Sequence, residues 1–302
     1  MRVAAVDLGT NTTRLLVADV DNGNVEALER REQITSLGEG VDARRRLLPL
    51  PIARVRNVLS EYRRRIEELG AERVLCVATS AVRDAENGEA FLGEIEWSYG
   101  FTTRLLSGEE EAGLTFAGAT LGRTDVDGVT VVDIGGGSTE LVLRDRAVSM
   151  DVGSVRLTEH FGEDRFEMAT AVVAALPDDL QPTRAIGVAG TIMSLAALDL
   201  GLERYHESEA DGHALRAATV EGQVSELAAL SLEERKELPP LNPKRAPFIL
   251  AGAVILDEVL RRYGLGEIEV SERDLLDGAA LEAAKLPEPA EGEAPPGAYV
   301  CC

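Results

Sequence analysis

Short apolar segments alternate with longer segments of helical periodicity along most of the chain. Residues 73–78 and 184–189 are compact, largely apolar runs, a pattern typical of buried strands. Residues 52–69 instead combine apolar positions at helical spacing with many charged residues, which predicts an amphipathic helix. Strands that alternate with helices in this way predict an α/β fold.

The same periodicities predict further elements in both halves of the chain. We expect strands at 102–106, 144–152 and 267–270, and helices at 107–121, 190–198, 220–230, 246–263 and 274–285. The polar stretch 122–128 separates the two series of elements and is the predicted domain boundary. Residues 286–302, which include Cys301 and Cys302, are rich in Pro, Gly, Ala and Glu and are predicted to form a disordered tail.

A repeated segment predicts that the fold is duplicated. Residues 3–16 read VAAVDLGTNTTRLL and residues 129–142 read VTVVDIGGGSTELV. Placing Asp7 on Asp133, an offset of 126 residues, also aligns Val6 with Val132, Gly9 with Gly135, Thr13 with Thr139 and Leu15 with Leu141. Because a chain of 302 residues fits two domains of about 150 residues each, we predict domains at 1–124 and 125–285. The final helix could also pack back across that boundary.

Charge and composition exclude several classes of function. The chain has 53 acidic and 31 basic residues, a net charge of −22, which disfavours generic binding to nucleic acid or anionic membranes. The sequence shows no apolar run long enough to span a bilayer and no export signal, so we expect a cytoplasmic protein. An anion could still bind at a local arginine cluster. Three dispersed histidines and three cysteines support neither a zinc site nor a disulfide framework, so any metal would have oxygen ligands, as Mg²⁺ prefers.

The glycines at 135–137 are predicted to lie in a hairpin. Residues 139–144 alternate in polarity like a strand, whereas a dinucleotide-binding glycine loop would be followed by a helix. The loop is therefore either a simple tight turn or a set of backbone N–H groups that bind an anion. Two copies with hydroxyl residues favour a phosphate clamp. Asp7 and Asp133 end apolar strands, where each carboxylate needs a partner or a metal.

Glu111 is a candidate general base. Ser107 and Glu110 have the spacing of a capping box, and this accounts for the neighbouring acids as helix-start residues. Glu111 lies beyond the box on a face that should be partly buried, where a carboxylate could activate water. Arg83 follows a strand, at the edge where α/β proteins bind ligands, although it could equally be a solvated residue behind a capped helix start at Thr79 or Ser80.

Taken together, the motifs resemble one family. Its segments occur in family order as VDLGTNTTRLLV, ATSAVRDAENGEAF, LSGEEEAGLTFAGA, VVDIGGGSTELV, GSVRLTE, VAGTIMSLAAL, KRAPFILAGAVIL and VSERDLLDG. The chain resembles the exopolyphosphatase and guanosine pentaphosphate phosphatase (Ppx/GppA) family of the actin, chaperone and sugar-kinase (ASKHA) superfamily. The resemblance implies two actin-like, ribonuclease H-like α/β domains facing a cleft. The resemblance covers residues 1–285 and does not include the extra helical domains of long family members. Those domains contribute dimer contacts in the family, so whether this chain forms a homodimer is left open.

The resemblance also implies roles for individual residues. Glu111 matches the glutamate that activates water, and Asp133 and Glu140 match the acids that hold Mg²⁺ or Mn²⁺. The positions that match phosphate-binding residues are Asn11, Thr12, Arg14, Arg83, Gly135, Gly136, Gly137, Ser138 and Thr139. The sequence departs from the family where Thr12 replaces Ser, Ala189 replaces Gly and Pro247 replaces Asp.

The implied reaction is hydrolysis of a terminal phosphoanhydride. The expected substrates are inorganic polyphosphate and guanosine pentaphosphate (pppGpp), the latter linking the protein to the stringent response. Two alternatives remain at this stage: a non-catalytic sensor that binds polyphosphate or guanosine penta- or tetraphosphate, and an ATP-dependent kinase of the superfamily. The acid at Glu111 favours the hydrolase over the sensor, and no clear adenosine pocket is visible for a kinase.

Overall fold

The structure is a computed structural model and describes residues 1–204 and 207–287. It divides into two compact units, the first made of residues 1–122 with 275 onwards and the second of residues 123–274. The elements of the first unit are β1 (Arg2–Leu8), β2 (Thr12–Asp21), β3 (Asn24–Ile34), α1 (Val41–Arg44), α2 (Pro49–Leu69), β4 (Arg73–Ala78), α3 (Ser80–Arg83), α4 (Gly88–Tyr99), β5 (Thr102–Leu105), α5 (Gly108–Ala119) and, from the end of the chain, α13 (Leu275–Ala283).

The second unit contains the remaining elements. These are β6 (Val129–Ile134), β7 (Thr139–Leu143), β8 (Arg146–Met150), α6 (Ser154–Phe161), α7 (Arg165–Ala175), β9 (Arg184–Val188), α8 (Ala189–Asp199), α9 (Glu207–Ala210), β10 (Ala214–Arg216), α10 (Ala217–Ala229), α11 (Leu232–Lys236), α12 (Ile249–Tyr263) and β11 (Glu267–Val270). The predicted α/β fold is confirmed, because each unit is one sheet with helices packed on it.

Strand β1 explains why the first apolar run is continuous. It is the central strand of a sheet in the order β3-β2-β1-β4-β5, antiparallel to β2 and parallel to β4. Its alternate residues enter different cores. Ala4 and Val6 pack with α2, while Val3 and Ala5 pack with α13. A strand covered by helices on both faces needs apolar residues at every position, so alternation disappears from the sequence.

The sheet of the second unit repeats the first. Its order is β10-β11-β9-β6-β7-β8, so five of its strands, starting from β8, repeat the order of the first sheet. In both sheets the central strand pairs antiparallel with the strand that follows it in the chain. On its other side it pairs with a parallel strand, β4 for β1 and β9 for β6. The hairpin turns also match, since Gly9 N–H donates to Thr12 O at 2.9 Å and Gly135 N–H donates to Ser138 O at 3.0 Å. The strand order and turn geometry agree with the duplication that the sequence repeat predicted.

The last helix belongs to the first unit, so the predicted second domain of 125–285 is wrong at its C-terminal end. Helix α13 packs against α5 and β1 and buries Leu275, Leu276 and Ala279 in a core with β1 and β2. A Cβ at Gly278 would lie 2.1 Å from Leu114 O, so α13 and α5 approach closely only because this residue is glycine. Packing back across the boundary is thus the outcome.

Other differences are small. The helix predicted at 246–263 begins at Ile249, because Pro247 has no N–H to continue a helical ladder and lies in the preceding turn. The strand predicted at 144–152 spans Arg146–Met150. Almost all of the predicted tail, with Cys301 and Cys302, lies outside the described residues. Across 1–204 and 207–287, no helix combines the length and apolar character that crossing a membrane requires.

Candidate active site

The hairpin β1–β2 buries an ion pair. Asp7 and Arg14 are direct cross-strand neighbours, and both Nε and Nη2 of Arg14 lie 2.9 Å from Asp7 Oδ2. The Asp7 side chain is 4% exposed and that of Arg14 is 14% exposed. The structure therefore places Arg14, predicted to bind phosphate, in a two-nitrogen contact with a buried carboxylate of its own hairpin.

The turn between these strands is tied to a second loop through its carbonyl groups. Thr10 O accepts from Gly38 N–H at 2.8 Å, and Asn11 O accepts from the N–H groups of Thr35 and Ser36 at 2.9 and 2.8 Å. In a trans peptide the N–H points opposite to the C=O of the same unit. The N–H groups of Asn11 and Thr12 therefore point away from the 35–38 loop.

The loop that follows β4 joins this turn. The hydroxyl groups of Thr10 and Ser80 are 2.9 Å apart and buried. Thr79 precedes α3 but makes no capping bond with its side chain, so the capping alternative for Thr79 is wrong. Ser80 instead fastens the start of α3 to the hairpin turn. This contact holds the end of β4 beside the end of β1.

Arg83 and Glu111 form a partly buried pair in the same unit. Arg83 Nη1 donates to Glu111 Oε2 at 3.1 Å and to Leu106 O at 2.8 Å. The Glu111 side chain is 9% exposed and that of Arg83 is 25% exposed. Arg83 is therefore a fixed donor next to the candidate base, and the alternative of a solvated arginine is wrong.

The start of α5 separates the roles of three consecutive glutamates. Ser107 caps the helix in the predicted capping box with Glu110. Hydrogen bonds from the Ser107 backbone N–H and hydroxyl hold the pKa of Glu110 below its usual value. Glu109 is exposed, whereas Glu111 is buried on the face that also buries Thr115 and Gly118. The buried face inferred from helical spacing is confirmed.

The corresponding hairpin in the second unit pairs two acids. Asp133 on β6 and Glu140 on β7 are direct cross-strand neighbours, 7% and 1% exposed. Ser149 Oγ donates to Glu140 Oε1 at 2.7 Å. Facing residues of an antiparallel pair have Cβ atoms about 5 Å apart, a spacing that suits two carboxylates sharing one hard cation.

The two acids fit a magnesium ion that keeps other ligands. Within the described ranges, no group of three or more His, Cys, Asp or Glu side chains could enclose a metal. Mg²⁺ commonly binds one or two carboxylates and completes its shell with waters and substrate phosphates. Asp133 and Glu140 match that incomplete donor set. They do not match a structural zinc site, which needs four protein ligands.

The glycine loop turns its carbonyl groups toward α6. Gly135 O accepts from Ser154 N–H at 3.0 Å, and Gly136 O accepts from Val155 and Arg156 N–H at 2.8 and 3.0 Å. Gly137 O accepts from Arg156 Nε at 2.8 Å. The N–H groups of Gly136, Gly137 and Ser138 consequently point away from α6. Such a row of N–H groups is chemically able to bind an anion.

Close packing holds this loop in place. A Cβ on Gly153 would lie 2.4 Å from Gly136 O, so the approach of the α6 segment requires glycine at 153. Ser138 is buried. Thr139, also predicted to bind phosphate, is fully buried, and its Oγ1 donates to Val152 O at 2.5 Å. The Thr139 hydroxyl therefore bonds to the segment that follows β8, just as Thr13 Oγ1 lies 3.0 Å from Thr35 Oγ1 in the segment that follows β3 of the first unit.

Arg245 is a buried cation that the sequence analysis did not single out. It is 7% exposed, and a Cβ on Gly190 would lie 1.7 Å from its Nη1. The guanidinium group thus lies directly on the backbone at the start of α8, beyond the end of β9. Arg245 lies in the segment KRAPFIL, which is part of the family resemblance. No local sequence pattern distinguishes it from a surface arginine, because its burial depends on contact with the distant Gly190.

The two remaining departures from the family have different structural contexts. Ala189 has φ of 68°, a left-handed conformation that glycine adopts without strain, so the usual glycine has a conformational reason. Pro247 lies in the turn before α12.

Comparison with known proteins gives consistent matches over both units. A sequence model described as the Ppx/GppA phosphatase family matches residues 16–286. Exopolyphosphatase 2 of Mycobacterium tuberculosis is 36% identical over 94% of this chain and 98% of its own length. A solved structure described as an exopolyphosphatase-like protein is similar with a TM-score of 0.86 and 31% identity, covering 94% of this chain and 99% of that one. The Ppx/GppA member of Aquifex aeolicus gives a TM-score of 0.77 at 29% identity, over 94% and 98%.

Proposed function

The chain belongs to the Ppx/GppA phosphatase family, and from that premise we propose that it hydrolyses the terminal phosphoanhydride bond of inorganic polyphosphate. The observation that carries the proposal is the buried Glu111 carboxylate, held at 3.1 Å by Arg83. A sensor would need groups that bind phosphate, but it would not need a carboxylate placed to accept a proton. The names of the similar proteins support polyphosphate as the substrate class.

Glu111 acts as the general base in this proposal. The oxygen of a water molecule attacks the terminal phosphorus, and its proton passes to the Glu111 carboxylate. The bond from that phosphorus to the bridging oxygen breaks, so the products are orthophosphate and a chain one phosphate shorter. Arg83 fixes the orientation of the carboxylate and offers a guanidinium group suited to phosphate oxygens.

The second unit supplies groups that bind the charged substrate. The N–H groups of Gly136, Gly137 and Ser138 donate hydrogen bonds to phosphate oxygens without bringing any side-chain charge. A Mg²⁺ or Mn²⁺ ion bound to Asp133 and Glu140 would neutralise the charge that develops on the phosphoryl group. Local binding groups of this kind let a protein with a net charge of −22 bind a polyanion.

The terminal 5′-phosphate of pppGpp is a second candidate substrate, because it is joined by the same type of bond. The discriminating experiment is phosphate release from short polyphosphate, long polyphosphate and pppGpp, each without a phosphoryl acceptor. We expect release from polyphosphate. Faster release from pppGpp would make that nucleotide the main substrate, whereas binding of all three without release would favour a sensor.

The role of Glu111 has a sharp test. Glu111→Gln keeps the side-chain volume and can keep an oxygen for Arg83, but it cannot take up a proton. We expect turnover to fall by ~10²–10⁴-fold with little change in substrate affinity. Phosphate release and a binding titration measure the two quantities.

The matched control is Glu109→Gln, an exposed glutamate two residues earlier in the same helix turn. It removes the same charge, and the expected change is a few tenths of a kcal/mol in stability with normal turnover. Near-normal turnover of Glu111→Gln, or an equal loss in Glu109→Gln, would show that Glu111 is not the base.

A further inference from the structure

The start of helix α6 closes on the glycine loop between β6 and β7. The N–H groups of the first residues of a helix have no acceptor inside that helix, and α6 begins with Ser154, Val155 and Arg156. Ser154 N–H donates to Gly135 O at 3.0 Å, and the next two N–H groups donate to Gly136 O at 2.8 and 3.0 Å. The start of the helix and the loop therefore satisfy each other's backbone groups.

The third carbonyl group of the loop is held by a side chain instead. Gly137 O accepts from Arg156 Nε at 2.8 Å, and no other donor among the described residues bonds to it. The same peptide unit carries the Ser138 N–H, which points to the opposite side. Because glycine has wide backbone freedom, this peptide would be able to turn if its carbonyl group lost its donor. Arg156 thus keeps the peptide in one orientation.

The first unit holds the equivalent carbonyl group by other means. The sequence repeat, with its offset of 126 residues, places Asn11 at the position of Gly137. Asn11 O accepts from the backbone N–H groups of Thr35 and Ser36 at 2.9 and 2.8 Å. Both hairpins therefore fix this peptide, but the first uses two backbone donors and the second uses a guanidinium group.

The orientation of this peptide matters for the groups that would meet the substrate. Among the described residues, the Ser138 N–H has no acceptor. We propose that Arg156 is a positioning residue, which holds Gly137 O so that the Ser138 N–H donates to a phosphate oxygen of polyphosphate. This inference rests on the proposed hydrolysis of polyphosphate. In this role Arg156 acts through the backbone, from the side of the loop opposite to the phosphate.

Two substitutions separate the hydrogen bond from the rest of the side chain. In Arg156→Gln, the glutamine Nε2 is as many bonds from Cα as the arginine Nε, so an N–H donor remains without the positive charge. Arg156→Met has a side chain of similar length without any donor. Glutamine and methionine are both good helix formers, so both variants should fold, and a melting curve for each checks this.

The first measurement is steady-state hydrolysis of tripolyphosphate by the full-length protein with Mg²⁺. We expect KM to rise at least ~10-fold in Arg156→Met, because a directed donor to a charged oxygen is lost. We expect kcat to stay within ~3-fold, since this donor binds the phosphate both before and during the reaction. In Arg156→Gln, KM should stay within ~3-fold of the wild-type value, because the hydrogen bond is kept. Lower stability alone would reduce the folded fraction, and hence kcat, without raising KM.

The second measurement is isothermal titration with orthophosphate, which binds without turnover. The Kd of orthophosphate should follow the same order as KM. The matched control is Arg144→Met, which removes an arginine of the same unit whose side chain is 68% exposed and pairs with Asp127. Normal KM and Kd are expected for this control.

The inference is overturned if Arg156→Met keeps the wild-type KM and Kd, or if Arg144→Met weakens binding as much. It is also overturned if Arg156→Gln loses as much affinity as Arg156→Met, since the charge and not the hydrogen bond would then be responsible. Arg156→Gln decides this even if Arg156→Met does not fold. Should the wild type release no phosphate while the order of orthophosphate affinities holds, the proposed function fails and the role of Arg156 in binding phosphate stands.

Discussion

In the first unit the buried Asp7 faces Arg14 across a hairpin, whereas in the second unit the corresponding Asp133 faces Glu140. The two hairpins share their turn hydrogen bond and their place in the sheet. One hairpin thus neutralises its aspartate within the protein. The other brings two carboxylates together, and the proposed divalent cation would bind there.

The turns differ in a related way. Both direct carbonyl groups toward a neighbouring segment and N–H groups to the opposite side, but two of the three residues in the second turn, Gly136 and Gly137, have no side chain. The first turn carries Thr10, Asn11 and Thr12 in the equivalent positions. The two hairpins therefore share their backbone geometry, while their side chains separate an ion-paired hairpin from one that we propose binds a metal and a phosphate.

The largest expected effect on this comparison is the loss of the ion pair. Arg14→Gln leaves the Asp7 carboxylate buried without its bidentate partner. We expect the free energy of unfolding to fall by roughly 2–4 kcal/mol, since breaking a buried pair strands a charge. Denaturant unfolding followed by circular dichroism measures this change.

Arg2→Gln is the control at the other end of the same strand. Arg2 pairs with Asp19 across the hairpin, but the two side chains are 38% and 40% exposed. The expected loss is much smaller than that of Arg14→Gln, because solvent screens an exposed ion pair. Equal losses in both variants would contradict the special position of the Asp7–Arg14 pair.

Neutralising Glu140, which occupies the position of Arg14 in the second hairpin, should affect activity rather than lower stability. Glu140→Gln removes one of two facing carboxylates, so stability without metal should stay the same or rise. Activity should fall by at least ~100-fold, and more Mg²⁺ should be needed for half-maximal rate, because a ligand is lost. A magnesium titration of phosphate release and a melting curve measure the two effects.

Glu167→Gln, at an exposed position of α7, is the matched control. Unchanged magnesium dependence is expected there. If Glu140→Gln destabilised the protein as strongly as Arg14→Gln, the two hairpins would not differ in the way proposed. Full activity of the wild type in excess chelator would also remove the metal from the mechanism.

A smaller effect is expected from Arg83, the other arginine of the first unit that was predicted to bind phosphate. Arg83→Ala removes one partly buried guanidinium group, which should raise KM by ~10–100-fold, as expected for loss of a charged hydrogen bond. Arg31→Ala is the comparison, because Arg31, on the outer strand β3, pairs with Glu29 of the same strand and with Glu61 of α2. Steady-state kinetics on polyphosphate distinguish them, and equal KM values for both variants would exclude Arg83 from substrate binding.

The parts of the fold that depend on local pattern were predictable from the sequence. The capping box at Ser107 and the buried face of α5 follow from spacing, and the aligned Asp, Gly and Thr residues indicated two hairpins. The partners of individual charges were not predictable, because they depend on contacts between distant segments. Arg245 over Gly190 is one example, at a separation of 55 residues.

The position of α13 shows the same limit. Its apolar residues were visible, but nothing in them indicated which unit they cover. Gly278 permits the observed packing, because its missing side chain lets α13 approach Leu114 of α5. This contact joins residues that are far apart in the sequence, and local sequence patterns do not predict such contacts.

The smallest expected effect concerns the ends of β4 and β9, where the two units differ in backbone conformation. By strand register, Ala78 and Ala189 occupy equivalent positions. Ala78 is the last residue of β4, whereas Ala189 has φ of 68° and opens α8.

A left-handed alanine costs about 1–2 kcal/mol in the folded state, and glycine removes this cost. Glycine also gives the unfolded chain more conformational entropy, which lowers stability by about 0.4–1 kcal/mol. Ala189→Gly should therefore raise the free energy of unfolding by roughly 0.5–1 kcal/mol. Ala78→Gly should lower it, because it has no strain to relieve and loses a buried methyl group. A melting comparison of the two variants measures both signs, and destabilisation by Ala189→Gly would show that the left-handed residue is not strained.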